Sequence, residues 1–246
     1  QIMDMSNLYK NYKDLESFLE SLDTRYRKKG RTLHVDNNAV RSFAITELGR
    51  EIVVKRYQKN VKMQRLVYAL FKKCQAEKAY YNAIKLLELG IETPKPIGFV
   101  KLTKIGLMDY CYFASEKSSA QCVDTLVHYG RLLDYDLAMA LARYMVTLHT
   151  KGILHHNLKE GNILYYKDAD TNYHFVLVDN NTIEFTERDL SVRERLQNIC
   201  KFGDKDIYLQ LVSCYAEVLG LDKKLAAQEA SEIRDEYEQK KKTQKK

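Results

Sequence analysis

The sequence predicts an α+β chain in two lobes: a small β-rich N-terminal lobe with one main helix, then a mostly helical C-terminal lobe. Three observations carry this reading. Between residues 31 and 116, short β-rich runs alternate with turns and are interrupted by a single helical pattern. From residue 118 the apolar spacing changes to the three-and-four-residue period of amphipathic helices. Within the second half, residues 163–178 return to strand-like composition, as two runs around a turn rich in Asp and Asn. The expected divisions are a leading helix over 1–30, a sheet-plus-helix lobe over 31–116 and a helical lobe over 117–246.

Asn11 to Tyr26 sets Tyr12, Leu15, Phe18, Leu19 and Leu22 at helical spacing, which predicts an amphipathic leading helix. Arg27 to Arg31, with Gly30, is a charged turn. Leu33–Val35, Val40–Ile45 and Glu51–Tyr57 read as strands, the last two joined by a turn over Leu48–Arg50. Lys72 to Gly90 is a helix that Gly90 ends as a C-cap. Thr93 to Pro96 is a rigid extended linker, because each proline disfavours helix in the residue before it. Ile97–Lys101 and Tyr110–Ser115 are two further strands. Tyr135 to Thr150 places Leu137, Leu141, Tyr144, Met145 and Leu148 on one stripe, and Lys151 with Gly152 ends that helix. Helices follow over Leu190–Phe202, Lys205–Leu219 and Leu225–Gln239.

The 246 residues suffice for one two-lobed domain or two small ones, and 45% apolar content with two prolines argues for a packed core. No run of eighteen apolar residues is present, so no transmembrane helix is expected. The first residues carry no apolar signal-peptide core. Five scattered cysteines without a C-x-x-C pair read as reduced thiols of a cytoplasmic protein. The net charge is +7, but Lys240, Lys241, Lys242, Lys245 and Lys246 contribute five of those charges in a terminal tail. A second concentration runs from Glu51 to Lys85, with nine Lys/Arg against two Glu. It is either a solvated face or a patch for anionic lipid or an anionic substrate. No recognition motif accompanies the charge, so nucleic acid is not an expected partner.

The chemistry concentrates between His155 and Asp179. The segment reads His155, His156, Asn157, Leu158, Lys159, Glu160, Gly161, Asn162, and the second strand of the hairpin ends at Val178 and Asp179. A hairpin places the residue before its first strand beside the residue after its second, so Asn162 and Asp179 are expected to meet. Two oxygen ligands there suit Mg²⁺, which takes few protein oxygens and completes its shell with phosphate and water. The order His, x, Asp, Leu, three residues, Asn, then a strand ending in Asp is that of a kinase catalytic loop and its metal-binding Asp. Here the catalytic Asp position is Asn157. Lys159, two residues on, can serve as a charge clamp on a transferring phosphoryl group or can face solvent. Lys55, which follows Ile52, Val53 and Val54 on the third strand of 31–116, either matches the lysine that pairs with nucleotide phosphates or is a snorkelling surface lysine. His155 reads as scaffold rather than base, and His149 and His156 carry no assignment.

Taken together, these residues resemble the bacterial lipopolysaccharide kinases, which phosphorylate Kdo or heptose sugars and have a bilobal protein-kinase-like fold. The likeness spans Tyr12 to Leu219. It rests on Val53–Tyr57, Lys85–Ile97, Leu148–His155, Gly161–Tyr165, Val178–Asp179 and Leu196–Cys200. The resemblance implies ATP and Mg²⁺ as cofactors, Lys55 on the phosphates, and Asn162 and Asp179 on the metal; the basic stretch from Lys55 to Lys85 fits an anionic glycolipid and a peripheral place at the cytoplasmic face of the inner membrane. Four departures accompany it. Asn157 replaces the Asp, Thr182 follows Asn181 where the family commonly shows Arg, no glycine-rich loop precedes Lys55, and a helix glutamate to pair with Lys55 is not obvious. Glu77 is the nearest candidate, although Ala79 and Tyr81 stand closer to the expected register against Gly90.

Three functions follow as expectations: an ATP-dependent kinase of a lipid-linked sugar, a pseudokinase that keeps the fold as a binding or scaffold module, and a kinase of another small molecule. About ten residues separate Asp179 from the helix near Leu190. That is short for a peptide-binding activation segment and disfavours a protein substrate.

Overall fold

The structure is a computed structural model that describes residues 2–4, 16–28, 31–35, 39–45, 50–58, 73–104 and 107–243. Outside these lie Asn11–Leu15 of the expected leading helix, the Leu48–Gly49 turn, the segment 36–38 ahead of Lys55, and residues 59–72 of the basic stretch. The chain forms two compact units, Gln1–Ser119 and Ala120–Lys246.

The first unit is built on a six-stranded antiparallel sheet. Its strands are β1 (Ile2–Asp4), β2 (Arg31–Val35), β3 (Ala39–Ile45), β4 (Arg50–Gln58), β5 (Pro96–Lys104) and β6 (Leu107–Glu116), in the order β1-β5-β6-β4-β3-β2. Because strand side chains alternate, the two faces bury different sets. Ile52 and Val54 of β4 join Ile97, Val100, Tyr112 and Ala114 in one core, completed by Phe18, Leu19, Leu22 and Tyr26. Those four lie on α1 (Glu16–Glu20) and α2 (Leu22–Lys28). The expected single helix divides at Ser21, although the Ser21 N–H still donates to the Ser17 carbonyl and the Arg25 N–H to the Ser21 carbonyl; the Ser21 hydroxyl adds contacts to the carbonyls of Ser17 and Phe18. On the opposite face Tyr57, Phe99 and Cys111 pack against Cys74, Ala76 and Tyr80. The last two belong to α3 (Gln75–Glu88), for which the Cys74 sulfur caps the N-terminus by accepting from the Glu77 N–H. β1, at the edge of the sheet, had no signal in the sequence; its three residues pair only with β5.

The second unit is mainly helical. α4 (Tyr135–Thr150) packs along α6 (Lys205–Leu219), and α6 along α7 (Lys223–Thr243). Leu137, Leu141, Met145 and Leu148 of α4 are buried as their spacing required. Each helix carries local instructions. The Asp134 carboxylate accepts from the N–H groups of Asp136 and Leu137, and Ser191 and Glu194 form a reciprocal capping box on α5 (Val192–Ile199). Asp204 caps α6 at one end, and Gly220, in the left-handed region, ends it at the other.

Two small antiparallel ladders sit beside these helices. β7 (Gln121–Cys122), β9 (Ile163–Lys167) and β10 (Tyr173–Leu177) form one, and β8 (Ile153–His155) with β11 (Ile183–Phe185) the other. Gly152 makes the turn from α4 into β8 at φ +69, with its carbonyl accepting from the Thr186 N–H. A Cβ there would stand 1.9 Å from the Thr186 carbonyl oxygen. Gly152→Ala is therefore expected to destabilise the protein by about 3–5 kcal/mol, from left-handed strain and backbone overlap together. Gly90→Ala, at φ +73 with nothing within 4 Å of the added carbon, should cost only ~1–2 kcal/mol. Urea midpoints of the two variants check the difference; equal midpoints would refute it.

Candidate active site

The hairpin that positions the site is closed by its own side chains. The Asp168 carboxylate accepts from the N–H groups of Asp170 and Asn172 and from the Asn172 amide, and it meets His174 Nε2 at 2.9 Å. The hydrogen bond from His174, followed by that from the Asn172 N–H, holds the Asp168 carboxyl down at about 2. Thr171 takes the left-handed position of this turn, at φ 64. The register pairs Ile163 with Leu177, and the ladder runs one step further as the Val178 N–H donates to the Asn162 carbonyl at 3.1 Å. That step brings the side chains of Asn162 and Asp179 together.

Three residues then converge. Asn157 Nδ2 donates to Asp179 Oδ2 at 3.2 Å, and Asn162 Nδ2 reaches the same oxygen at 3.4 Å. Asn162 Nδ2 also donates to the Asn157 carbonyl at 2.8 Å, which fixes the loop across its own chord. Asn162 is buried; Asn157 and Asp179 are half-buried. Asp179 adopts φ 65, a left-handed conformation that Asp tolerates better than most side chains. The amide nitrogens of Asn157 and Asn162 are spent on these acceptors, so the hard ligands this cluster can offer a cation are oxygens: the Asp179 carboxylate and the Oδ1 of Asn162. No group of three or more His, Cys, Asp or Glu able to hold a metal occurs among the described residues. Such a set fits Mg²⁺ that draws its remaining ligands from phosphate and water, not a protein-made cage.

His155 organises this convergence from beneath. Its ring is fully buried, with Nδ1 accepting from the Asn157 N–H at 3.1 Å. An acceptor at Nδ1 places the proton on Nε2, which donates to the Val178 carbonyl at 2.9 Å. One neutral imidazole thus ties the peptide of Asn157 to the residue before Asp179. Burial keeps His155 neutral by lowering its pKa. Both ring nitrogens are engaged, so His155 is scaffold and not a base.

The remaining expected residues are more dispersed. Lys159 is exposed and precedes a single 3₁₀ turn over Glu160–Asn162. Lys55 lies on β4 opposite Val40 and Phe113, on the α3 side of the sheet, with its amine 5.1 Å from the centre of the Tyr57 ring. The Glu77 carboxylate forms an ion pair with Lys101 of β5, tying the first turn of α3 to the sheet.

Several residues that hold the loop carried no sequence signal. Glu160 accepts from the Tyr129 hydroxyl at 2.6 Å and from the Gly203 N–H at 3.1 Å. Lys201 donates to the His156 carbonyl at 2.6 Å, and His156 Nε2 meets Glu184 at 2.7 Å. His149, buried in α4, contacts Tyr215 and Asn198. Burial lowers its pKa from 6.5 to about 4, opposed by the Asn198 hydrogen bond and assisted by the Arg195 charge. The unfolded chain takes up this proton below about 6.5 while the folded chain resists until about 4, so stability is full above that window and falls with pH through it. The loss approaches about 3 kcal/mol by pH 4. Thermal unfolding midpoints between pH 7 and 4.5 should fall accordingly, and His149→Gln should flatten the slope. An unchanged slope in that variant would refute the assignment.

These two units together have a protein-kinase-like fold. Among solved structures, the chain resembles WaaP, determined in complex with acyl carrier protein, at a TM-score of 0.63 and 12% identity over 99% of each chain. It also resembles the Rio2 kinase–ADP/Mg²⁺–phosphoaspartate complex from Chaetomium thermophilum, at a TM-score of 0.51 and 15% identity over 92% of this chain and 77% of that one. At these identities the likeness is one of fold. No protein-family profile matches the sequence, and no curated protein does.

Proposed function

We propose that the chain is an ATP- and Mg²⁺-dependent phosphotransferase acting on a lipopolysaccharide core sugar, Kdo or heptose, with its chemical step weakened at Asn157. The observation that carries this is the convergence of the Asn157 and Asn162 amides on the Asp179 carboxylate at the end of the β9–β10 hairpin. Asp179 and Asn162 are the metal-binding residues, Lys55 the phosphate-binding one and Lys159 the charge clamp on the transferred group. Mg²⁺ bound there supplies neutralisation of phosphate charge, the main requirement of phosphoryl transfer. Asn157 orients Asp179 through its amide but cannot accept a proton from the acceptor hydroxyl. The sugar acceptor rests on the sequence resemblance; the shared fold supports only a kinase-like phosphotransferase.

A second reading, a pseudokinase that binds nucleotide as a scaffold, is favoured by the same amide and by the engagement of Glu77 with Lys101. Calorimetric titration with ATP, with and without Mg²⁺, tests the first reading. Mg²⁺-dependent binding is expected, and its absence would refute it. Turnover with a Kdo- or heptose-bearing acceptor separates the two.

The basic stretch from Lys55 to Lys85 suits an acceptor embedded in an anionic membrane. Within this stretch Arg56 lies over the rings of Tyr26 and Tyr110. No described helix is long and apolar enough to cross a membrane. Co-sedimentation with vesicles rich in phosphatidylglycerol should be strong at low salt and lost near 0.5 M NaCl, where the screening length falls to about 4 Å. Salt-insensitive sedimentation would contradict this.

A further inference from the structure

The carbonyl of His155 accepts two hydrogen bonds, from the Leu158 N–H at 3.1 Å and from Asn198 Nδ2 at 3.1 Å. Asn198 lies 43 residues away on α5. A carbonyl can only accept, so Asn198 must present its NH₂ there and its oxygen to His149 Nε2, which stands 3.1 Å away. That oxygen can only accept, so His149 carries its proton on Nε2. The neutral ring then accepts at Nδ1, and the Tyr215 hydroxyl, 2.8 Å away, must donate to it. The Tyr215 oxygen in turn accepts from Arg195 Nη1 at 3.5 Å. His149 is 2% exposed and Tyr215 fully buried. One backbone carbonyl therefore sets the direction of every bond from Arg195 to the loop. Bonds aligned in one direction polarise and strengthen one another.

We infer that Asn198 and His149 are positioning residues for the loop, acting through His155. This rests on the site proposed above, since the ring at the end of the chain of bonds holds both the Asn157 peptide and the residue before Asp179. Neither residue touches reacting atoms. Their effect is to fix the His155 peptide so that its ring bridges Asn157 to Val178, and that bridge sets the separation of Asn157 and Asp179. A residue that served only to fill α4 and α5 would need neither the imidazole tautomer nor the amide orientation.

The test begins with the unmodified protein. ¹⁵N-resolved imidazole spectra at pH 7 are expected to show His149 and His155 both neutral and both protonated on Nε2. A His149 proton on Nδ1 would overturn the inference whatever the state of the site. Asn198→Asp keeps the acceptor for His149 and loses the donor to His155, so exchange of the His155 Nε2 proton should accelerate at least tenfold. Tyr215→Phe, a milder change at the far end, should accelerate it by a smaller factor. Unchanged exchange in both variants would also overturn the inference. With Mg²⁺ and ATP as probes, Asn198→Asp should weaken the metal-dependent part of binding about tenfold and leave metal-free binding unchanged; equal weakening of both would mark a structural role only. If the unmodified chain fails to bind Mg²⁺ and ATP, the functional reading falls, while the tautomers and exchange rates still decide the positioning role.

Discussion

Asn157→Asp is expected to raise phosphotransfer by about 10²–10⁴-fold, the usual contribution of a positioned general base. The effect is confined to the proton-accepting step, because the fold already supplies the position. Asn157 Nδ2 stands 3.2 Å from Asp179 Oδ2, so the new carboxylate arrives beside an existing one. Two like charges about 3 Å apart cannot both stay ionised unless a cation lies between them. Without Mg²⁺ the variant should therefore melt below the parent, and Mg²⁺ should recover most of the difference. Phosphate release and thermal unfolding, each with Mg²⁺ and with a chelator, measure the two effects. A variant that gains no turnover but regains stability with Mg²⁺ would favour the pseudokinase reading. One that responds to Mg²⁺ in neither assay would remove the metal assignment of Asp179.

Asp179→Asn should abolish the Mg²⁺-dependent part of ATP binding, with a loss of at least ~100-fold. Residues one shell behind a metal ligand already cost up to about 100-fold when changed, and Asp179 supplies the only carboxylate of the proposed pair. Asn is the informative replacement. It tolerates the left-handed backbone at φ 65, and its carbonyl can still accept from Asn157 and Asn162. The unfolding midpoint should therefore stay within a few degrees of the parent. Calorimetric titration with Mg²⁺ and ATP reads the result. Retained metal-dependent binding would place the ion elsewhere in the chain.

Much of the fold was legible because its signals are local. α4 and α6 occupy the expected spans of Tyr135–Thr150 and Lys205–Leu219, each with a side-chain cap directly before it. The strand, strand, strand, helix, strand, strand order over 31–116 appears as β2, β3, β4, α3, β5 and β6. The meeting of Asn162 and Asp179 was also legible, since a hairpin brings its two ends together whatever the rest of the chain does. β1 was not: three residues supply no periodicity, and their strand character depends on β5. The engagement of Glu77 was equally hidden. Its register within α3 could be counted, but not the arrival of Lys101 from β5.

The sequence by itself determined the two-lobed α+β architecture, the faces of each helix and strand, and the loop in which an amide stands where a catalytic carboxylate is expected. Periodicity and turn chemistry act over a few residues, so a linear reading reaches them. Only the tertiary structure decided which polar groups meet: Asn198 with the His155 carbonyl and Glu160 with Gly203, each 43 residues apart, and Glu77 with Lys101. Hydrogen bonds and ion pairs depend on distance and direction between atoms, and no pattern along the chain encodes either until the elements have packed.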